Sequence, residues 1–217
     1  MIPKEWLRKQ GEGTIIGIVD TGIKRSLNCF NNTKIVCKNF DQTEYRHGTH
    51  VASTILQFSP KASIVFAAGI FENYDKLESM LEWISTFKLD VLNLSLSYHE
   101  DNSKIEKLLQ NIHNNGTIIV AAFNSRMTYP CKYPFVLKAG KGGDFEAPDE
   151  WVSYFPNGNK GTMKGSSVST AITSGLCSLG KAIIPSINKE DFLSTVRPKD
   201  VFFDQTTKKQ VNVNLLK

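Results

Sequence analysis

The chain alternates short β-rich runs with stretches of helical periodicity, and this order restricts its fold more than any other feature. Gly13 to Val19 is a mostly β-branched run that stops at Asp20-Thr21-Gly22, which reads as a buried strand ending in a tight turn. Thr49 to Phe58 has helical character, Pro60 follows, and Ile64 to Ala68 forms a second strand-like run. From Asp75 to Phe87 the apolar residues Leu77, Met80, Leu81, Ile84 and Phe87 recur at spacings of three and four, the mark of a helix buried on one face. A strand at Val91 to Leu94, a helix from about Ser103 to Asn114 with Gly116 at its stop, and a β-rich run from Thr117 to Ala122 continue the order.

Such alternation predicts an α/β fold, a three-layer sandwich with a mainly parallel central sheet flanked by helices. Ligands of these sheets bind outside the carboxyl ends of the strands, so Asp20, Ser95 and Asn124 form one expected neighbourhood. After Gly165 an apolar helix is expected from about Val168 to Ala182. A short helix near Glu190 to Thr195 and an alternating Val211, Val213, Leu215 strand that would close a hairpin complete the reading. With 217 residues, no internal repeat and no long linker, one domain over 1–217 is expected, residues 1–12 being a short N-terminal extension and 198–217 a hairpin-like tail.

Composition removes several function classes. The formal charge of +5 comes from scattered Lys and Arg with no stripe or block that would grip phosphate, which argues against nucleic acid. No run reaches the roughly 18 apolar residues of a membrane span, and Met1 to Trp6 lacks the apolar core of a secretion signal, so a cytoplasmic, membrane-free protein is expected. Cys29, Cys37, Cys131 and Cys177 show no CxxC pair and no metal-ligand spacing; they read as reduced thiols, with no metal or cofactor.

Three segments can supply the hydroxyl, base and carboxylate of nucleophilic acyl chemistry. They are Ile18-Val19-Asp20-Thr21-Gly22-Ile23, Arg46-His47-Gly48-Thr49-His50-Val51-Ala52-Ser53 and Gly165-Ser166-Ser167-Val168-Ser169-Thr170-Ala171. Each is weak alone. Asp-Thr-Gly is common turn chemistry, Ser166 and Ser169 compete with Ser167, and His47 and His50 lack the spacing of four and the Glu of a zinc-peptidase helix.

In the order Asp, His, Ser, the three closely resemble the blocks of the subtilisin family of serine proteases: strand-Asp-Ser/Thr-Gly, His-Gly-Thr-His-Val-Ala and Gly-Thr-Ser-Met-Ala. Ile119 to Asn124, followed by Tyr129-Pro130-Cys131-Lys132-Tyr133-Pro134, is similar to the family's oxyanion strand and its Tyr-Pro segment, where the Tyr-Pro bond is usually cis. Asn93-Leu94-Ser95-Leu96-Ser97 is similar to its substrate-pairing strand.

The resemblance implies a serine endopeptidase acting through an acyl-enzyme, with Asp20, His47 and Ser167 as the triad. Asn124 and the Ser167 N–H would hold the oxyanion. Ser95, Leu96 and Ser97, joined by Ser125 and Thr128, would contact a peptide or protein substrate bound as an extended strand. The rival function is an inactive peptide-binding protein on the same fold.

The sequence also departs from the family. The Asn-rich loop that wraps the main calcium ion is missing, so no dedicated calcium site is expected. The segments from Asn124 to Tyr129 and from Gly140 to Gly165 are short, Ser97 and Ala171 replace a Gly and a Pro, and Phe123 stands where a small residue is usual. Three expectations follow: a selective processing role such as leader removal, a preference set by Arg126 for an acidic or polar residue before the cleaved bond, and residues 1–10 partly covering the cleft.

Overall fold

The computed structural model describes residues 2–41, 45–70, 73–204 and 209–210. Its centre is a six-stranded sheet of β1 (Ile15–Asp20), β2 (Ile35–Asn39), β3 (Ser63–Ala68), β4 (Val91–Leu94), β5 (Ile118–Ala122) and β6 (Leu137–Ala139). The strand order is β2-β3-β1-β4-β5-β6, and every adjacent pair is parallel. Alternation along the strands divides the core in two. Ile16, Ile18, Ile64, Phe66 and Val120 face α2 (Arg46–Phe58) and α5 (Ser166–Ile183). Val19, Val65, Leu92 and Ile119 face α3 (Tyr74–Ile84) and α4 (Ser103–Asn114). The expected three-layer sandwich is thus present, because a parallel sheet must bury both faces.

Helix boundaries follow local chemistry. Asn73 and Asn102 cap α3 and α4 through their side-chain oxygens, and α4 ends where Gly116 takes a φ of 88° that few other residues adopt. Helix α6 (Lys189–Thr195) carries a capping box between Asn188 and Asp191. α2 starts three residues before the expected Thr49 and α5 two before Val168, which brings both candidate catalytic residues inside first turns.

Elements beyond the sequence reading include β2, β6, the antiparallel hairpin of β7 (Glu150–Tyr154) and β8 (Lys160–Lys164), and α1 (Lys4–Lys9). α1 corrects the expectation that residues 1–10 cover the cleft. Trp6 is 2% exposed, stacks on Phe192 and lies so close to Gly180 that a Cβ there would meet its ring at 2.9 Å. Gly180 follows Ser167 by 13 residues, about 20 Å of helix, so the extension docks at the far end of α5. Near the carboxyl terminus, α7 (Pro198–Phe202) leads into β9 (Phe203–Asp204), which pairs antiparallel with β10 (Lys209–Gln210). The alternating strand expected at Val211 to Leu215 lies outside the described residues.

Candidate active site

Strands β1, β4 and β5 are consecutive in the sheet, so Asp20, Ser95 and Asn124 line up at its carboxyl edge. Asp20 is buried, and its Oδ1 accepts the Thr21 N–H at 2.7 Å. The same oxygen lies 2.7 Å from Nδ1 of His47, whose ring stays about one-third exposed to the cleft. Two hydroxyls lock the carriers of this pair together. Thr21 Oγ1 accepts the Gly48 N–H at 3.2 Å, satisfying one first-turn donor of α2, and Thr49 Oγ1 accepts the Lys24 N–H at 2.9 Å. Gly48 permits the approach: a Cβ there would stand 2.4 Å from the Gly22 carbonyl oxygen.

Ser167 is the second residue of α5, behind a Gly165 N-cap at φ 127° that offers no side chain to the first turn. Its N–H therefore lacks an intrahelical partner and sits at the positive end of the helix dipole. Asn124 follows β5. Its Oδ1 accepts the Arg126 N–H at 3.0 Å and its Nδ2 donates to Thr128 Oγ1 at 3.4 Å. The Tyr129–Pro130 bond is cis, as the resemblance implies.

Beyond β4, Ser95 and Leu96 are buried and Ser97 is exposed. Among the described residues the backbone N–H and C=O groups of Leu96 and Ser97 have no partner, and pairing resumes at Tyr98, which exchanges two 2.9 Å bonds with Tyr129. An open depression of about 330 Å³ borders this edge, with Tyr74, Leu77 and Tyr98 in its wall. Of the other expected contacts, Ser125 and Arg126 are exposed on the loop, while Thr128 is buried behind Asn124.

The sequence reading quoted Asn93 in the β4 block without a role of its own and missed Ser174. Asn93 Nδ2 donates to Ser95 Oγ at 3.0 Å, and Ser174 Oγ donates to Asn93 Oδ1 at 3.0 Å, so a buried polar chain links β4 to α5. A lone Asn inside the apolar run of β4 is the signal that could have revealed it. His50 has a structural role. It is fully buried, with Nε2 3.1 Å from the Gly161 carbonyl and Nδ1 3.3 Å from Thr54 Oγ1, and burial pushes its pKa below the ordinary 6.5. The four cysteines are free thiols. Cys177 is wholly buried, and burial pushes the Cys131 thiol up to about 12.

The sequence model of the subtilase family matches residues 11–142, more than half of the chain. The chain belongs to the subtilase family. Among curated subtilases, subtilisin amylosacchariticus of Bacillus subtilis subsp. amylosacchariticus is 26% identical over 78% of this chain and 55% of its own length. The chain therefore spans about half of that relative. Subtilisin DY of Bacillus licheniformis is 23% identical over 82% of this chain and 80% of its own. Two solved structures share the fold at 19% identity. A cold-adapted subtilisin-like serine proteinase matches with a TM-score of 0.72 over 85% of this chain and 81% of its own. The prenylagaramide maturation protease PagA matches with 0.74 over 98% and 93%. No helix among the described residues is long and apolar enough to cross a membrane.

Proposed function

We propose that this subtilase is a serine endopeptidase with Asp20, His47 and Ser167 as its triad. The observation that carries the reading is the 2.7 Å contact between buried Asp20 and His47 Nδ1, which fixes the imidazole with Nε2 turned away from the carboxylate. In the proposed reaction, Ser167 Oγ attacks a peptide carbonyl and His47 takes its proton. As the tetrahedral intermediate collapses, His47 gives that proton to the leaving amine, and Asp20 stabilises the imidazolium in between. Water then repeats the sequence on the acyl-enzyme. The Asn124 amide and the Ser167 N–H supply the oxyanion donors, each aimed at charge that develops only in the transition state. Only protein groups and water take part.

The unpaired backbone of Leu96 and Ser97 supports binding of the acyl half as an added extended strand, with Ser95 and Ser125 beside it. Arg126, exposed on the loop after Asn124, would bias the residue before the cleaved bond towards an acidic or polar side chain. The whole-chain likeness to a maturation protease supports a processing role on a precursor peptide over bulk digestion.

Labelling with a fluorophosphonate probe tests the nucleophile. Wild type should label and Ser167→Ala should not. Equal labelling of both would overturn the assignment, and labelling of neither would favour the rival reading as a peptide-binding protein. Mass-spectrometric digestion of a denatured protein mixture tests selectivity, with few sites of shared pattern expected.

A further inference from the structure

Strand β5 lies between β4 and β6, so Asn124 has the Ser95–Ser97 edge on one side and the end of β6 on the other. On that second side is an open depression of about 650 Å³ beside Phe123, Asn124 and Ser166. Exposed Lys141, Glu146 and Asp149 border it, and the same three residues border a second depression of about 450 Å³. The second has an apolar wall of Ala147, Pro148, Pro198 and Phe202. Together they make one groove leading from the candidate site to α7.

This groove is built, because its walls are held by bonds to the site itself. Ser169 Oγ donates to the carbonyls of Ala147 and Pro148 at 2.9 and 3.1 Å, and Gly165 N–H donates to that of Asp149 at 2.7 Å. Glu146 Oε1 accepts the Gly142 N–H at 2.6 Å. Gly140 packs directly on the Phe123 carbonyl, where a Cβ would stand 2.7 Å from the oxygen. The bulk of Phe123 is taken up here, since the Cβ that Gly142 lacks would touch its ring at 3.6 Å.

In the proposed reaction the acyl half lies on Ser95–Ser97, and the other half departs past Gly165 and Ser166 at the amino end of α5, where this groove begins. Resting on that reading, we infer that the groove binds the leaving half of the substrate and selects an apolar side chain, seated by Pro148 and Phe202, within a polar segment. The apolar wall argues for that side chain. The polar segment follows from Lys141, Lys199, Glu146 and Asp149, which carry both signs and have no ion-pair partner among the described residues.

The test uses paired internally quenched peptides that share residues before a bond mapped in denatured casein. Their leaving halves are one residue long, or four residues long with a single Leu or a single Asp. Wild type should prefer the Leu peptide to both others by at least about fivefold in kcat/KM, as filling an apolar pocket commonly gives. Lys141→Glu, an exposed change, should raise the Leu-to-Asp ratio because a third carboxylate beside Glu146 and Asp149 repels Asp, and Phe202→Ala should shrink both Leu ratios; ratios cancel any general loss of activity. Ratios near one in wild type, or unchanged in both variants, would overturn the inference. Should no bond be cleaved, the protease reading fails. The groove is then judged by fluorescence anisotropy of the same peptides on Ser167→Ala protein, where tighter binding of the Leu peptide supports it and equal binding refutes it.

Discussion

Ser95 and Ser167 bond to each other in both directions. The Ser95 hydroxyl donates to the Ser167 carbonyl at 3.2 Å, and the Ser167 hydroxyl donates to the Ser95 carbonyl at 3.4 Å. The second bond is long, so the proposed nucleophile is oriented yet easily surrendered to a base. Behind Ser95 stands Asn93, held by Ser174, and the chain fixes the backbone of the first turn of α5. Asn93→Ala leaves both serine hydroxyls short of a buried partner and is expected to cost about 1–3 kcal/mol of stability. It should also lower kcat by about tenfold or more with little change in KM. Urea unfolding and steady-state kinetics check both, and an unchanged kcat would separate the chain from function.

Gly48 lets α2 approach the turn after β1, and the Asp20–His47 contact depends on that approach. In Gly48→Ala a methyl would press on the Gly22 carbonyl oxygen at 2.4 Å and on Phe66 at 2.8 Å. Backbone cannot yield as a flexible side chain does, so α2 must shift. A loss of about 1–3 kcal/mol is expected from overpacking, together with at least about a hundredfold loss of kcat/KM as the base is misplaced. Wild-type kinetics in the variant would show that α2 has more freedom than its packing implies.

The sequence carried the helices and central strands because their apolar residues repeat at the period of each element. α4, expected from Ser103 to Asn114, has those bounds. The candidate residues Asp20, His47, Ser95, Asn124 and Ser167 could be picked out because the ordered blocks around them are local. β2 escaped since its exposure alternates weakly on a sheet edge, and β7 and β8 since apolar Val152 is exposed while polar Ser153 is buried, which inverts the expected alternation. α1 escaped for a different reason. Only one of its residues, Trp6, is buried, and its partners Gly180 and Phe192 are more than 170 residues away, beyond the reach of any periodicity.

Asn124, the proposed oxyanion donor, should be costly to remove. Asn124→Ala is expected to lower kcat by about 10²–10³ and leave KM nearly unchanged, because the donor acts on charge that forms in the transition state. Thr128 bonds the Asn124 amide, so Thr128→Val should give a smaller loss, near tenfold, with the same split between kcat and KM. A rise in KM instead would make both residues substrate contacts.

His50 makes stability depend on pH. Burial lowers its pKa from 6.5, helped by the nearby His47 and Arg46 and partly opposed by the Gly161 carbonyl. A base depressed in the fold contributes stability that is complete above its unfolded pKa and lost as pH falls through the folded value. Unfolding free energy should therefore drop more steeply below about pH 6.5 in wild type than in His50→Asn, which cannot titrate there. Urea curves between pH 8 and 5 test this, and parallel slopes would refute it.

Trp6 decides what the amino-terminal segment is for. Its indole is buried, stacked on Phe192 and packed on Gly180, at the end of α5 away from Ser167. Trp6→Ala would open a cavity in the core and should cost about 3–5 kcal/mol, in the range of large aromatic truncations. If the segment instead masked the cleft, removing residues 1–9 would raise kcat/KM without lowering stability. Docking behind the sheet predicts the reverse: a lower urea midpoint in both variants, and kcat/KM per folded molecule close to wild type. Measuring the two quantities on the same preparations separates a brace from a lid, since only a lid couples truncation to faster turnover.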